Sequence, residues 1–259
     1  ACAAGARRAA NPHPHPHPHP HPHPHPHPHP NPNPNPNSKG ARLAALRVPE
    51  AAAAVGRSGK DLVGVVNCAG LGYTGPAEYF PIDLYKACWD INFLGYVRVV
   101  QAMLPHLKAA AAKPGARRGR IVCIGTGGGR FSPSPPMISA YMASKWSVEA
   151  YVHTLRFELQ LQKLPIDACM LNPGVIKPTQ LAGVGLGLAE KMWAACVPAA
   201  KAEYGALLTK LIAHQASEPG THVSAVSEQM LEIIQLRYEA GSASGLDVLQ
   251  QRQQLRNHL

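Results

Sequence analysis

Long apolar runs are missing from this chain of 259 residues. None approaches the roughly eighteen consecutive apolar positions that a membrane-crossing helix needs. The N-terminus also lacks a short apolar region of the signal-peptide kind, so a soluble body is expected. Cys-x-x-Cys is missing too. The six cysteines (Cys2, Cys68, Cys88, Cys123, Cys169 and Cys196) are widely scattered, which argues against a zinc site or a disulfide framework. Acidic residues are scarce: 15 Asp and Glu stand against 25 Lys and Arg, for a formal charge of +10. The basic excess lies in Arg7-Arg8 and in the stretches Lys39 to Lys60 and Lys108 to Arg120. No aromatic platform interleaves it, so solvated loops and tails are expected rather than a nucleic-acid surface.

Proline is plentiful, and its placement divides the chain. Residues 11–36 alternate Asn-Pro or His-Pro and hold half of the 26 prolines. Proline at every second position fixes φ and removes every second donor, so neither helix nor ladder can form there. Residues 1–40 therefore read as a disordered low-complexity tail of polyproline-II character. Its nine alternating histidines are borderline-soft ligands that would take up zinc, nickel or copper. A simple-sequence expansion without a selected role is the favoured reading, because such tracts are compositional signals.

From residue 41 to 259 the pattern is that of one folded domain. Pro49 to Val55 reads as a short helix with proline near its start. Buried strands are expected at 61–68, 120–125 and 166–171, and helices over Leu84 to Ala112 and 139–162. In the first helix Leu84, Cys88, Ile91, Leu94 and Val97 recur every three or four residues. Alternating strands and helices with continuous apolar strands predict a parallel sheet covered on both faces.

The chemistry-bearing residues stand in a fixed order along this frame. Asn67-Cys68-Ala69-Gly70 ends the first strand, Asn92 follows within the first helix, and Thr126 ends the second strand. Tyr141 and Lys145 open the next helix, and Pro173-Gly174 closes the third strand. On a helix, Tyr-x-x-x-Lys puts phenol and ammonium on one face, about 5–6 Å apart at Cβ. A neighbouring ammonium favours the phenolate, so the Tyr141 pKa is expected to fall toward neutrality.

This ordered set resembles the short-chain dehydrogenase/reductase family over roughly residues 60 to 180. The extended motif through Leu155-Arg156-x-Glu158-Leu159, with Trp193 and Glu203-Tyr204-Gly205, is similar to its retinol and hydroxysteroid dehydrogenase branch. The resemblance implies an α/β fold with a Rossmann-like doubly wound parallel sheet, NAD or NADP as cofactor, and a lipophilic alcohol or ketone as substrate. It implies Tyr141 as acid/base, Lys145 as its electrostatic partner and holder of the ribose hydroxyls, and Asn92 as support for a proton relay. Thr126 would occupy the usual serine position, with Ser132 or Ser134 as alternatives. Asn67, Ala69, Gly70, Pro173, Gly174, Ile176 and Thr179 would line the cofactor groove, with Cys68 turned into the core. Residues from about 180 to 220 would form a substrate lid. The resemblance also implies self-association; the residues do not fix the compartment, for which a cytoplasmic or endoplasmic-reticulum-peripheral setting is the working expectation.

One part of the pattern does not appear. The family's Gly-x-x-x-Gly-x-Gly turn, which seats pyrophosphate on a helix N-terminus, has no counterpart among Gly5, Gly40, Gly56, Gly59 and Gly64. Gly125-Thr-Gly-Gly-Gly-Arg130 carries arginine where the dinucleotide fingerprint needs glycine or alanine, and Gly183-x-Gly-x-Gly187 lacks a preceding strand. A partial sheet holding only the later strands is therefore expected, its first strand an exposed Val-rich edge. A non-catalytic scaffold with a metal-binding His-Pro tether is the competing reading.

Overall fold

Three Val- and Ile-rich runs form the strands expected of them. In this computed structural model, which describes residues 36–128, 134–177, 193, 198–217 and 220–235, they are β1 (Gly64–Asn67), β2 (Gly119–Ile124) and β3 (Ile166–Leu171). All pair in parallel in the order β1-β2-β3. Asn67 lies opposite Cys123, and Ile124 opposite Leu171. Their carboxyl ends therefore finish along one rim. Among the described residues β1 pairs only with β2, and Val63 and Val66 stand exposed along it.

Helices cover the sheet on both faces, and strand alternation decides which residues meet which helix. Ile121, Cys123, Ala168 and Met170 pack against Tyr96, Val100 and Leu107 of α3 (Gly95–Ala111). On the same side they meet Val148, Val152, Leu155 and Leu159 of α4 (Ser139–Leu161). The alternate residues Val122, Ile124, Cys169 and Leu171 meet Val226 and Ile233. Those two belong to α6 (Val223–Gln235), which follows α5 (Pro198–Ser217). A second parallel pair joins β4 (Ile176–Lys177) to β5 (Thr221–His222). Arg120 is almost fully buried within β2 and pairs with Asp167 of β3, whose other carboxylate oxygen meets Arg118.

Two helices differ from expectation. The short helix read at Pro49 is part of a longer α1 (Pro36–Arg57) with Pro49 inside it. Proline removes one donor, but the alanines on both sides favour helix strongly enough to carry the backbone through. The long helix expected from Leu84 is interrupted. After α2 (Ile82–Trp89) comes one π turn, Asp90–Leu94, before α3 begins. The extra residue in that wider turn resets the helical phase around Asn92. In the region expected as a lid, α5 reaches the 3-10 turn Ala77–Tyr79 through two reciprocal contacts, Tyr79 to Glu203 and Tyr204 to Glu78. Gly183, Gly185 and Gly187 lie outside the described residues.

Candidate active site

Because the strands are parallel, the residues that follow them converge at their carboxyl rim. Asn67 ends β1 buried, with its amide donating to Cys123 Sγ at 3.5 Å. Ala69 and Gly70 are exposed beyond it. A Cβ placed on Gly70 would lie 3.6 Å from Lys145 Nζ and 3.9 Å from Asn92 Oδ1. Both are ordinary contact distances, so Gly70 marks where the backbone passes beside ammonium and amide.

Asn92 is fully buried in the π turn. Its Oδ1 accepts from the Leu71 amide at 2.8 Å, and its Nδ2 donates to the Leu71 carbonyl and to Ser144 Oγ, both at 2.8 Å. Ser144 in turn donates to the Tyr141 carbonyl at 2.7 Å. Asn92 thus ties the turn after β1 to the first turn of α4.

Lys145 is 4% exposed and donates to the Ile124 carbonyl at 2.7 Å and to Tyr96 Oη at 3.3 Å. Its Nζ lies 5.2 Å from the Tyr96 ring centre and 5.9 Å from that of Tyr141. Burial holds the ammonium's pKa down to about 8, opposed by the thiols of Cys68 and Cys123. The Tyr141 phenol is half-buried and lies near enough to the Thr126 hydroxyl for that hydroxyl to favour the phenolate. Thr126 Oγ1 also accepts from the Gly128 amide at 3.3 Å.

Two expectations are corrected here. The Tyr141 pKa is raised, not lowered: burial disfavours the phenolate first, the Thr126 hydroxyl opposes it, and Cys88 adds to it. The ammonium that should have lowered it points at the Ile124 carbonyl and is itself weakened by burial. Cys68 is exposed and does not enter the core. β1 ends with Asn67 in the inward position, so the next residue faces the rim.

The remaining candidates divide plainly. Pro173 and Ile176 are half-buried and Gly174 exposed just past β3. Ser134 is exposed, whereas Ser132 and Thr179 lie outside the described residues. Sequence reading missed Tyr96, Ser144, Glu149 and Asn172. Tyr96 sits four residues after Asn92 and Ser144 just before Lys145, spacings that would have placed both near the site.

The short chain dehydrogenase family model matches residues 45–185. The chain belongs to this family. Among curated relatives, 3beta-hydroxysteroid dehydrogenase dhs-16 of Caenorhabditis elegans is 32% identical over 146 residues, covering 56% of this chain and 35% of the relative. Mitochondrial D-beta-hydroxybutyrate dehydrogenase of Bos taurus is 32% identical over 150 residues, covering 56% and 40%. The chain spans well under half the length of these relatives. NAD+-bound xylitol dehydrogenase superposes with a TM-score of 0.56 over 73% of this chain and 68% of that one, at 20% identity. That likeness supports the Rossmann-like fold of this short-chain dehydrogenase. No helix among its described residues is long and apolar enough to cross a membrane.

Proposed function

We propose that this short-chain dehydrogenase carries the proton-transfer half of an NAD(P)-dependent oxidoreductase acting on a lipophilic secondary alcohol or ketone, of retinoid or steroid kind. The observation that carries the reading is the convergence of Tyr141, Thr126, Lys145 and Asn92 on one rim. The relative named 3beta-hydroxysteroid dehydrogenase dhs-16 supports the steroid kind of substrate.

The residues present suit the nicotinamide riboside end of the cofactor. The Lys145 ammonium beside Gly70 would reach a ribose hydroxyl, and Asn67, Ala69, Pro173, Gly174 and Ile176 would border the groove with it. Thr179 would extend that border. No glycine-rich turn leading into a helix precedes β1 among the described residues, so the phosphate end has no counterpart there. When bound, the nicotinamide supplies or accepts hydride at the substrate carbon.

The chain's own part is to move the proton. Tyr141 would give its phenolic proton to a carbonyl oxygen or take one from an alcohol. Thr126 would stand beside that phenol and share the substrate oxygen. Tyr96 and the Ile124 carbonyl hold Lys145 beside them, and Asn92 keeps α4 in place through Ser144. Residues 41–259 would form one domain that self-associates, as the exposed Trp146, Phe157 and Leu161 on α4 suggest.

The test is calorimetry and turnover on the 259-residue chain. Micromolar binding of NADH or NADPH is expected, and, with NAD+ or NADP+ as hydride acceptor, oxidation of a steroid or retinoid alcohol that is lost in Tyr141→Phe. No nucleotide binding at millimolar levels would favour the scaffold reading instead.

A further inference from the structure

The small cleft beside the candidate site is lined by Thr126, Lys145, Trp146 and Glu149. Glu149 has no part in the proton-transfer scheme above, yet its side chain is only 14% exposed. It lies one helical turn beyond Lys145 on α4 and accepts from Asn172 Nδ2 at 3.2 Å. His153, four residues on, approaches its other oxygen at 3.6 Å. A carboxylate kept this far from water has a structural or functional reason to stay.

Asn172 shows what the carboxylate holds. It follows β3 directly, and its side chain folds over Gly125 at the end of β2. A Cβ on Gly125 would collide with Asn172 Oδ1 and lie 2.6 Å from Met170 Cε. The backbone is laced at the same place. Gly125 N–H donates to the Leu171 carbonyl at 2.8 Å, and Gly127 N–H to the Pro173 carbonyl at 2.9 Å. Thr126 sits between these two pinned glycines. Its place relative to α4 is therefore set by how the β3 terminus is tied to that helix, and the Glu149–Asn172 bond is such a tie.

We infer that Glu149 is a positioning residue: through Asn172 it holds the end of β2 against α4 so that Thr126 presents its hydroxyl to Tyr141. Its functional meaning rests on the proposed role of Tyr141, but the geometry does not. Glu149 reaches the site through Asn172. It acts through one amide side chain and two glycines that leave no slack.

The test titrates Tyr141 in the 259-residue chain by NMR of ring-labelled tyrosine, with Tyr141→Phe assigning the signal. Neither cofactor nor substrate is present, so its failure is separate from failure of the dehydrogenase reading. Glu149→Ala is expected to raise the Tyr141 midpoint by about half a pH unit, the scale of one weakened hydrogen bond. Thr126→Val should do the same, and the two together should add nothing further. Glu149→Gln keeps an acceptor for Asn172 and should leave the midpoint in place. Asn172→Asp faces one carboxylate with another and should raise it, even if Glu149→Ala fails to fold. Combining Asn172→Asp with Glu149→Gln exchanges donor and acceptor and should restore the original midpoint. A Tyr141 midpoint unmoved by Asn172→Asp, or additive effects of Glu149→Ala and Thr126→Val, would overturn the inference.

Discussion

Lys145→Met should make the folded chain more stable at neutral pH, and less so as the pH rises. The ammonium is 4% exposed, and burial holds its pKa at about 8 against an ordinary 10.5. That gap corresponds to about 3 kcal/mol of penalty for keeping the charged form inside. The sign follows from proton counts. Between about pH 8 and 10.5 the unfolded chain binds more protons at this site than the folded one, so stability rises with pH across that window. Below pH 8 the whole penalty is present. Methionine matches the length of the lysine stem without a charge. The change removes donors to the Ile124 carbonyl and Tyr96 Oη, but Tyr96 still donates to that carbonyl at 3.2 Å. Neither group is orphaned, so the loss is about 1 kcal/mol. The variant should therefore be about 2 kcal/mol more stable near pH 7, and about 1 kcal/mol less stable above about pH 10.5. Urea unfolding of both chains at three pH values reads this difference, and the tyrosine titrations common to both cancel. A variant less stable than its parent at pH 7, or a difference constant with pH, would refute the reasoning.

Asp167→Ala removes the carboxylate that faces Arg120 inside the sheet, and should cost about 3–5 kcal/mol in urea unfolding. The exposed Lys86–Asp83 pair is the control: Asp83→Ala should change stability by less than about 1 kcal/mol. Gly125→Ala puts a methyl against Asn172 and Met170, and should lower stability by about 1–3 kcal/mol. A near-neutral result would mean the two strand ends separate easily. Asn92→Leu strands the Leu71 N–H and leaves its carbonyl only the weak Cys88 thiol donor at 3.8 Å, at about 1–3 kcal/mol for the amide. Faster amide exchange at Leu71 should accompany it, and unchanged exchange would count against the tie.

The fold was legible because each strand declared itself by burial. The runs 120–125 and 166–171 correspond closely to β2 and β3, and 139–162 to α4. Parallel pairing then did the assembling. Once three strands run the same way, Asn67, Thr126 and Pro173 must reach one rim wherever they stand in the chain. Tyr141 and Lys145 need only a helix that starts there. The order of residue types along the chain therefore carried most of the candidate site.

The sequence did not carry the local dielectric. The Tyr-x-x-x-Lys spacing places an ammonium near a phenol but says nothing about the water either has lost. Here both are desolvated, and desolvation moves their pKa values toward the neutral forms, up for Tyr141 and down to about 8 for Lys145. Proximity alone would have moved both the other way. The competition is settled by where Nζ points, toward the Ile124 carbonyl and Tyr96, and that follows from the π turn. The turn at Asp90–Leu94 fixes Asn92 inward, and Tyr96, one turn further along, then reaches the end of β2. An extra residue in a helical turn leaves hardly any mark on apolar periodicity, so its effect on the neighbouring charges could not have been read from the residues in order.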